Sequence, residues 1–388
     1  MKKLIFIVLA VLFMTFPAFW GSVRETSAAE PIKIGAILNL TGPAAMLGPL
    51  FKDGITMAFE ENKSQVAGRR LELIVEDDAT DPTTALEKAR KLVERDKVKI
   101  IIGPLMGDAH LAIAPYLAGK KVLITTLYCG GIELAKYKQW LIYPTTLAGL
   151  CIPLGYYAAD AGYKTMDMIT SDYAGGHGFM NGVRMGFESK KGKIVQEVFP
   201  PVGTADFGPY LTALKPADCV SYFVPNTAES SRVIVQYREF GIKMPLLVTT
   251  LDGDIPEHVM KELGNKVIGL KGQASYIWQR EDPVNKKWVQ AMQKRFGRMP
   301  GGIEQNSYAL ASVILAGLKA TGGNESFDKL WPVVVKMKMQ TPQGPLSFTP
   351  EGVAITDGYI VEGKVIKGRY LWDPIKVYPQ VRDPRLKQ

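Results

Sequence analysis

Cysteine and histidine are scarce, with three of each in 388 residues. Cys129, Cys151 and Cys219 form no Cys-x-x-Cys pair, and no cysteine–histidine spacing suits a metal, so neither metal nor cofactor is expected. An odd number of thiols allows at most one intramolecular disulfide, and buried thiols are the simpler expectation. Also lacking are a Gly-x-Ser-x-Gly elbow and a His-Glu-x-x-His helix. An exported hydrolase would rest only on Ser171 and Asp172 near His177, so no enzyme is expected. Gly175-Gly176-His177-Gly178 is too short for a dinucleotide fingerprint. Nor is charge of one sign gathered into a stripe. The formal net charge is +9, yet acidic Glu76-Asp77-Asp78 follow closely on basic Arg69-Arg70, which argues against a nucleic-acid partner.

Long apolar runs are confined to the beginning. Met1-Lys2-Lys3, the apolar run Leu4–Trp20 and the small residues Ser27-Ala28-Ala29 read as an export signal over residues 1–29. No later stretch approaches the ~18 apolar residues of a membrane span. The mature chain is therefore expected to start near Glu30, unlipidated because no cysteine lies there, and to be periplasmic. Roughly 359 residues then remain, too many for one comfortable core, and two domains are expected.

What is present is a regular alternation of strand and helix. Ile32–Leu38 reads as a strand, and Leu47 to Ala58 carries the apolar spacing of a half-buried helix. Leu71–Val75 is a second strand, after which Asp81 caps a helix with Pro82 as its first residue. From Val98 to Cys129 the chain reads strand, sharp turn at Gly103-Pro104, helix over Leu111–Ala118, strand and open loop. Alternation continues through a helix over Gly178–Ser189 and strands at Cys219–Phe223 and Leu246–Thr249, a helical portion follows, and the end holds short extended pieces such as Tyr359–Val361 and Arg369–Trp372. Two successive sets of this kind predict an α/β protein of two doubly wound lobes.

In an open parallel sheet, ligands sit at the carboxyl ends of the strands, close to helix N-termini. Gly107, Asp108, Ala109 and His110 would lie on that rim, as would Leu127, Tyr128 and Cys129. Unpaired amides in the first turn of the helix could receive a carboxylate. His110 could donate to such an anion or pack on the following turn.

The order and spacing of several phrases resemble the periplasmic leucine/isoleucine/valine-binding protein family, the type I solute-binding proteins of ABC importers. The phrases are IKIGAILNLTGPAAMLG, GRRLELIVEDDATDPTTALEKARKLV, VKIIIGPLMG, SDYAGGHG, PVNKKWVQAMQKRFGRMP and SYALASVILAGL. The resemblance implies two lobes closing on a small ligand, joined by three crossovers near Tyr143–Thr146, Ser275–Trp278 and Gly344–Ser347. One lobe would hold residues 30–145 and 277–345, the other 146–276 and 346–388. It further implies delivery of a carboxylate-bearing solute, an amino acid or related or aromatic acid, to an ABC permease of the inner membrane, by a monomer. A sensing module presenting its closed form to a receptor would share this fold.

Carried across residue by residue, the resemblance is imperfect. Gly107 stands where branched-chain binders place a carboxylate-holding serine, and Cys129 where they place a threonine. Gly175 falls at a position often occupied by a pocket tyrosine, for which Tyr173 is the nearby substitute. Leu47 replaces an aromatic that caps the ligand side chain. Asp252 matches the acid that pairs with an α-amino group, while Asn226 is either a second-lobe contact or a helix cap. Thr80 and Met106 occupy the family's two half-cystine positions. These departures favour a larger or aromatic acid over leucine.

Overall fold

The computed structural model describes residues 30–249 and 255–386. The first lobe opens with β1 (Ile32–Leu38), α1 (Gly48–Glu61), β2 (Gln65–Val66), β3 (Arg69–Asp77), α2 (Pro82–Arg90) and β4 (Ile100–Ile102). It continues through α3 (Gly107–Leu117), β5 (Leu123–Thr125) and β6 (Trp140–Leu141). The chain then crosses into α4 (Leu147–Asp160), β7 (Thr165–Thr170), α5 (Ala174–Ser189), β8 (Lys193–Val198), α6 (Gly208–Thr212) and β9 (Cys219–Phe223). Next come α7 (Thr227–Glu239), β10 (Leu246–Val248), α8 (Glu257–Leu263) and β11 (Lys271–Ala274). Three helices follow, α9 (Pro283–Phe296), α10 (Gly302–Ala320) and α11 (Phe327–Val334), and then β12 (Met339–Thr341), β13 (Gly344–Phe348), β14 (Ala354–Ile366) and β15 (Arg369–Val381).

The strands form two sheets. One runs β2-β3-β1-β4-β5-β6, and the other β12-β13-β14-β11-β10-β9-β7-β8 with β15 outside β14. Each central portion is parallel, which requires helical crossovers and leaves both faces covered. On the first sheet, α1, α10 and α11 fill one face and α2 and α3 the other. On the second, α4 and α5 cover one face and α6, α7 and α8 the other. The fold is the α/β, two-lobed architecture the alternation predicts.

Local chemistry explains the boundaries. Asp81 accepts from the Thr84 amide at 2.7 Å, so α2 begins as predicted, with Pro82 at its first position. Thr146 caps α4 and Asp282 caps α9 by the same device. One expectation fails in the last part of the chain. The short extended pieces at 359–361 and 369–372 belong to two 13-residue strands paired in an antiparallel hairpin. Lys367 and Gly368, both at positive φ, supply the tight two-residue turn that suits a twisted hairpin.

Chain passes between the lobes after β6, after β11 and around β13. The first and third passages are tied together, since the Ile142 amide donates to Gly352 O and the Ala354 amide to Ile142 O, each at 2.9 Å. The side chains of Leu346, Phe348 and Ala354 pack in the first lobe's core. The third passage therefore extends beyond Gly344–Ser347. Among the described residues no helix is long and apolar enough to cross a membrane. The expected export signal lies outside the described residues.

Candidate functional site

Strand order locates the site before any side chain is considered. In the first sheet, β1 leads to α1 on one face, whereas β4 leads to α3 on the other. The loops after β1 and β4 therefore part, leaving a crevice between 39–47 and 103–106. In the second sheet, β7 leads to α5 on one face and β9 to α7 on the other, parting the loops 171–173 and 224–226. Such switch points are where open α/β sheets bind ligands. They bring Leu47, Gly107 and Asp108 to one rim and Tyr173 and Asn226 to the other. The loop after β5, with Leu127, Tyr128 and Cys129, stands next to the first crevice. Tyr128 packs against the cores of both lobes.

The rim of α3 offers main-chain donors. Gly107 and Asp108 are exposed at its first turn. The first amide of the helix to find an acceptor is that of His110, on Met106 O at 3.0 Å; those of Gly107, Asp108 and Ala109 donate to no described residue. With the positive end of the helix dipole behind them, these donors suit an anion. A Cβ at Gly107 would meet nothing within 4 Å, so the rim is open there.

Ala109 and His110 turn the other way, into the first lobe's core. His110 is 1% exposed, its Nε2 donates to Pro104 O at 2.9 Å, and its ring stands edge-on to Trp140. Of the two readings open at the sequence level, the packing one describes this geometry. Burial lowers the His110 pKa from 6.5 to about 4, against the smaller raising effect of the Pro104 bond. Unfolded histidine takes its proton near pH 6.5, so the folded state keeps full stability above that value and loses it as pH falls towards 4. The loss at pH 4.5 is about 2–3 kcal/mol. Denaturant unfolding at pH 7 and pH 4.5 should show this drop in the wild type, beyond whatever drop His110→Gln shows. Equal drops in both proteins would refute it.

Leu127 and Cys129 are buried and Tyr128 is half-buried. The Cys129 amide donates to Tyr143 O at 2.7 Å, tying this loop to the first passage between lobes. All three cysteines are buried, gathered in the core around α4 and α5. Asn226 is exposed and caps α7, accepting from the Glu229 amide at 3.0 Å while its own amide group donates to the Glu229 carboxylate. Asp252 lies outside the described residues.

Tyr173 and Gly175 explain one another. A Cβ at Gly175 would stand 2.6 Å from the Tyr173 ring, so that ring fills the space a side chain at 175 would need. Tyr173 is half-buried against the second lobe's core, with its ring 6.3 Å from that of Phe223.

Sequence reasoning missed a cavity between the lobes. It has a volume of about 670 Å³, with Leu47, Leu50, Met299 and Ile303 on the first side and Ile255 and Trp372 on the second. Tyr276 and Trp278, on the passage after β11, close its back. Among the described residues, Leu47 is the only predicted site residue in this lining. The charged lining residues largely neutralise one another. Glu257 is bidentate to Arg369 at 2.6 and 2.8 Å, and Arg298 pairs with Glu304 and with Asp53. An apolar body fits such a space. Six separated stretches of the chain build it, so no local pattern could announce it.

A profile of the periplasmic binding protein family matches residues 31–369. The chain belongs to that family. Within it the chain groups with the leucine/isoleucine/valine-binding proteins, type I solute-binding proteins of ABC transporters. It is 26% identical over 384 residues to Leu/Ile/Val-binding protein homolog 6 of Brucella suis biovar 1 (strain 1330), covering 96% of this chain and 98% of that one. An ABC transporter substrate-binding protein from Sphaerobacter thermophilus superposes with a TM-score of 0.86 at 29% identity, over 91% of this chain and 99% of the other. A solute-binding protein of an ABC transporter from Rhodopseudomonas palustris BisB5, in complex with 3,4-dihydroxybenzoic acid, gives 0.81 at 28% identity, over 92% and 99%. The chain's family is one of transporter solute-binding proteins rather than an enzyme class. It implies a periplasmic location and a permease partner, and no group of residues suited to a metal occurs among those described.

Proposed function

We propose that this solute-binding protein takes a small carboxylate-bearing ligand, an aromatic or otherwise larger acid in preference to leucine, and delivers it by closure of the two lobes. Two observations carry the reading, the open amides at the start of α3 and an apolar interlobe cavity that includes Leu47 of the same rim. The amides receive the carboxylate in place of the hydroxyls lost at Gly107 and Cys129. Tyr128 and Tyr173 flank the ligand, and Leu47 with the cavity behind it accommodates its apolar body. Asp252 meets an amino group where the ligand has one. The Rhodopseudomonas relative with its bound dihydroxybenzoate supports an aromatic acid, and the Leu/Ile/Val-binding relatives support a carboxylate in general.

Closure follows from the ligand's extra contacts in the closed state, since only differential affinity moves such an equilibrium. The protein acts as a monomer after removal of residues 1–29, a step that intact-mass measurement of the exported protein checks. Calorimetric titration with leucine, benzoate and hydroxylated benzoates tests the ligand class. A saturable heat with an aromatic acid and none with leucine is the expected result. Tight leucine binding overturns the preference.

A further inference from the structure

The last described residues do something the three chain passages do not. β15 is paired along its length with β14 and so moves with the second lobe. Beyond Val381 the chain leaves that sheet. Asp383 is fully buried, and its carboxylate accepts from the Thr146 hydroxyl at 2.5 Å, at the exit of the first passage. Three further bonds hold it, from the Arg385 amide at 3.0 Å and the Arg385 guanidinium at 2.9 and 2.6 Å. Leu386, 7% exposed, then enters the outer core of the first lobe with Leu134, Trp140 and Val353.

We infer that residues 382–386 are a strap across the hinge, a fourth tie between the lobes that limits how far they open. Five residues span at most ~17 Å when fully extended, and Pro384 in their middle removes slack by fixing its φ. With Asp383 anchored to Thr146 at the start of α4, moving β15 away from the first lobe must withdraw Leu386 from that lobe's core. Withdrawal costs free energy, so the strap biases the pair of lobes towards closure even without ligand. The bias also reaches the rim. The Thr146 hydroxyl that donates to Asp383 accepts from the Gly149 amide at 2.9 Å, and the Leu147 amide donates to Gly130 O, next to Cys129. The strap, the start of α4 and the loop after β5 are one hydrogen-bonded unit.

The test uses the whole ligand-free protein, so it stands apart from the identity of the ligand. Leu386→Ala and Asp383→Asn are compared with the wild type by small-angle X-ray scattering and by hydrogen exchange. The expected result is a larger radius of gyration in each variant and exchange about tenfold faster at the first turn of α4, with the far-ultraviolet spectrum unchanged. Deletion of residues 383–388 should give the largest radius. Should the deletion fail to fold, the two point variants read the same quantity. Folded variants with wild-type radius and wild-type exchange would overturn the strap.

Discussion

Gly107→Pro should weaken binding of a carboxylate ligand by about 10- to 100-fold while leaving the fold as stable as before. Proline deletes one backbone N–H and nothing else that this position needs. Gly107 is the first residue of α3, where proline's fixed φ matches the helix and the missing amide would have no helical acceptor. Met106 before it is already extended, with ψ at 139°, as the residue before a proline must be. Nothing lies within 4 Å of a Cβ at 107, so the ring has room. The substitution is thus a deletion of a donor from the proposed anion site. Calorimetry with an aromatic acid and with its methyl ester reads the effect. The acid should lose affinity and the ester, which carries no full negative charge, should lose far less. Equal affinity of wild type and variant for the acid would remove the α3 amides from the site.

That experiment also marks where the sequence was legible. The alternation of apolar runs with helical spacing is enforced by parallel pairing, and it placed β1 and β9 at their observed bounds. It was weaker at helix starts on the rim. α3 was expected to have its body from Leu111 and begins at Gly107; α5 was expected from Gly178 and begins at Ala174. The reason is physical. A first turn that faces a gap packs little against a core, so it carries glycine and polar residues in no apolar rhythm, and it reads as loop. The feature that hid these helix starts is the one that leaves their amides accessible. His110 shows the complementary difficulty, because its burial depends on Trp140, which is distant in sequence. The long β14–β15 hairpin was masked by its glycines and prolines, and the interlobe cavity by its assembly from six separated stretches.

Gly182→Leu should destabilise the second lobe by about 4 kcal/mol or more, beyond the usual range of an overpacked core site, because what it meets is backbone. α4 and α5 touch along a seam of glycines. A Cβ at Gly182 would stand 2.0 Å from Ala148 O, at Gly186 2.3 Å from Ile152 O, and at Gly155 2.1 Å from Val183 O. A carbonyl cannot swing aside as a flexible side chain can, so the two helices must separate along their length. Separation exposes Leu154, Val183 and Phe187, which are buried between them and the sheet. It also displaces function, since α4 starts at Thr146 beside the first passage and α5 starts just after Tyr173. Urea unfolding followed by tryptophan fluorescence should therefore split into two transitions, because every tryptophan buried in the first lobe lies outside the wedge. The second lobe should melt first, and ligand binding should vanish with it. Gly182→Ala, with the same Cβ and nothing beyond it, should show a smaller loss in the same direction. A Gly182→Leu protein with an unshifted midpoint would mean that the helices are not in backbone contact, and that the second rim of the cleft is held by something other than this seam.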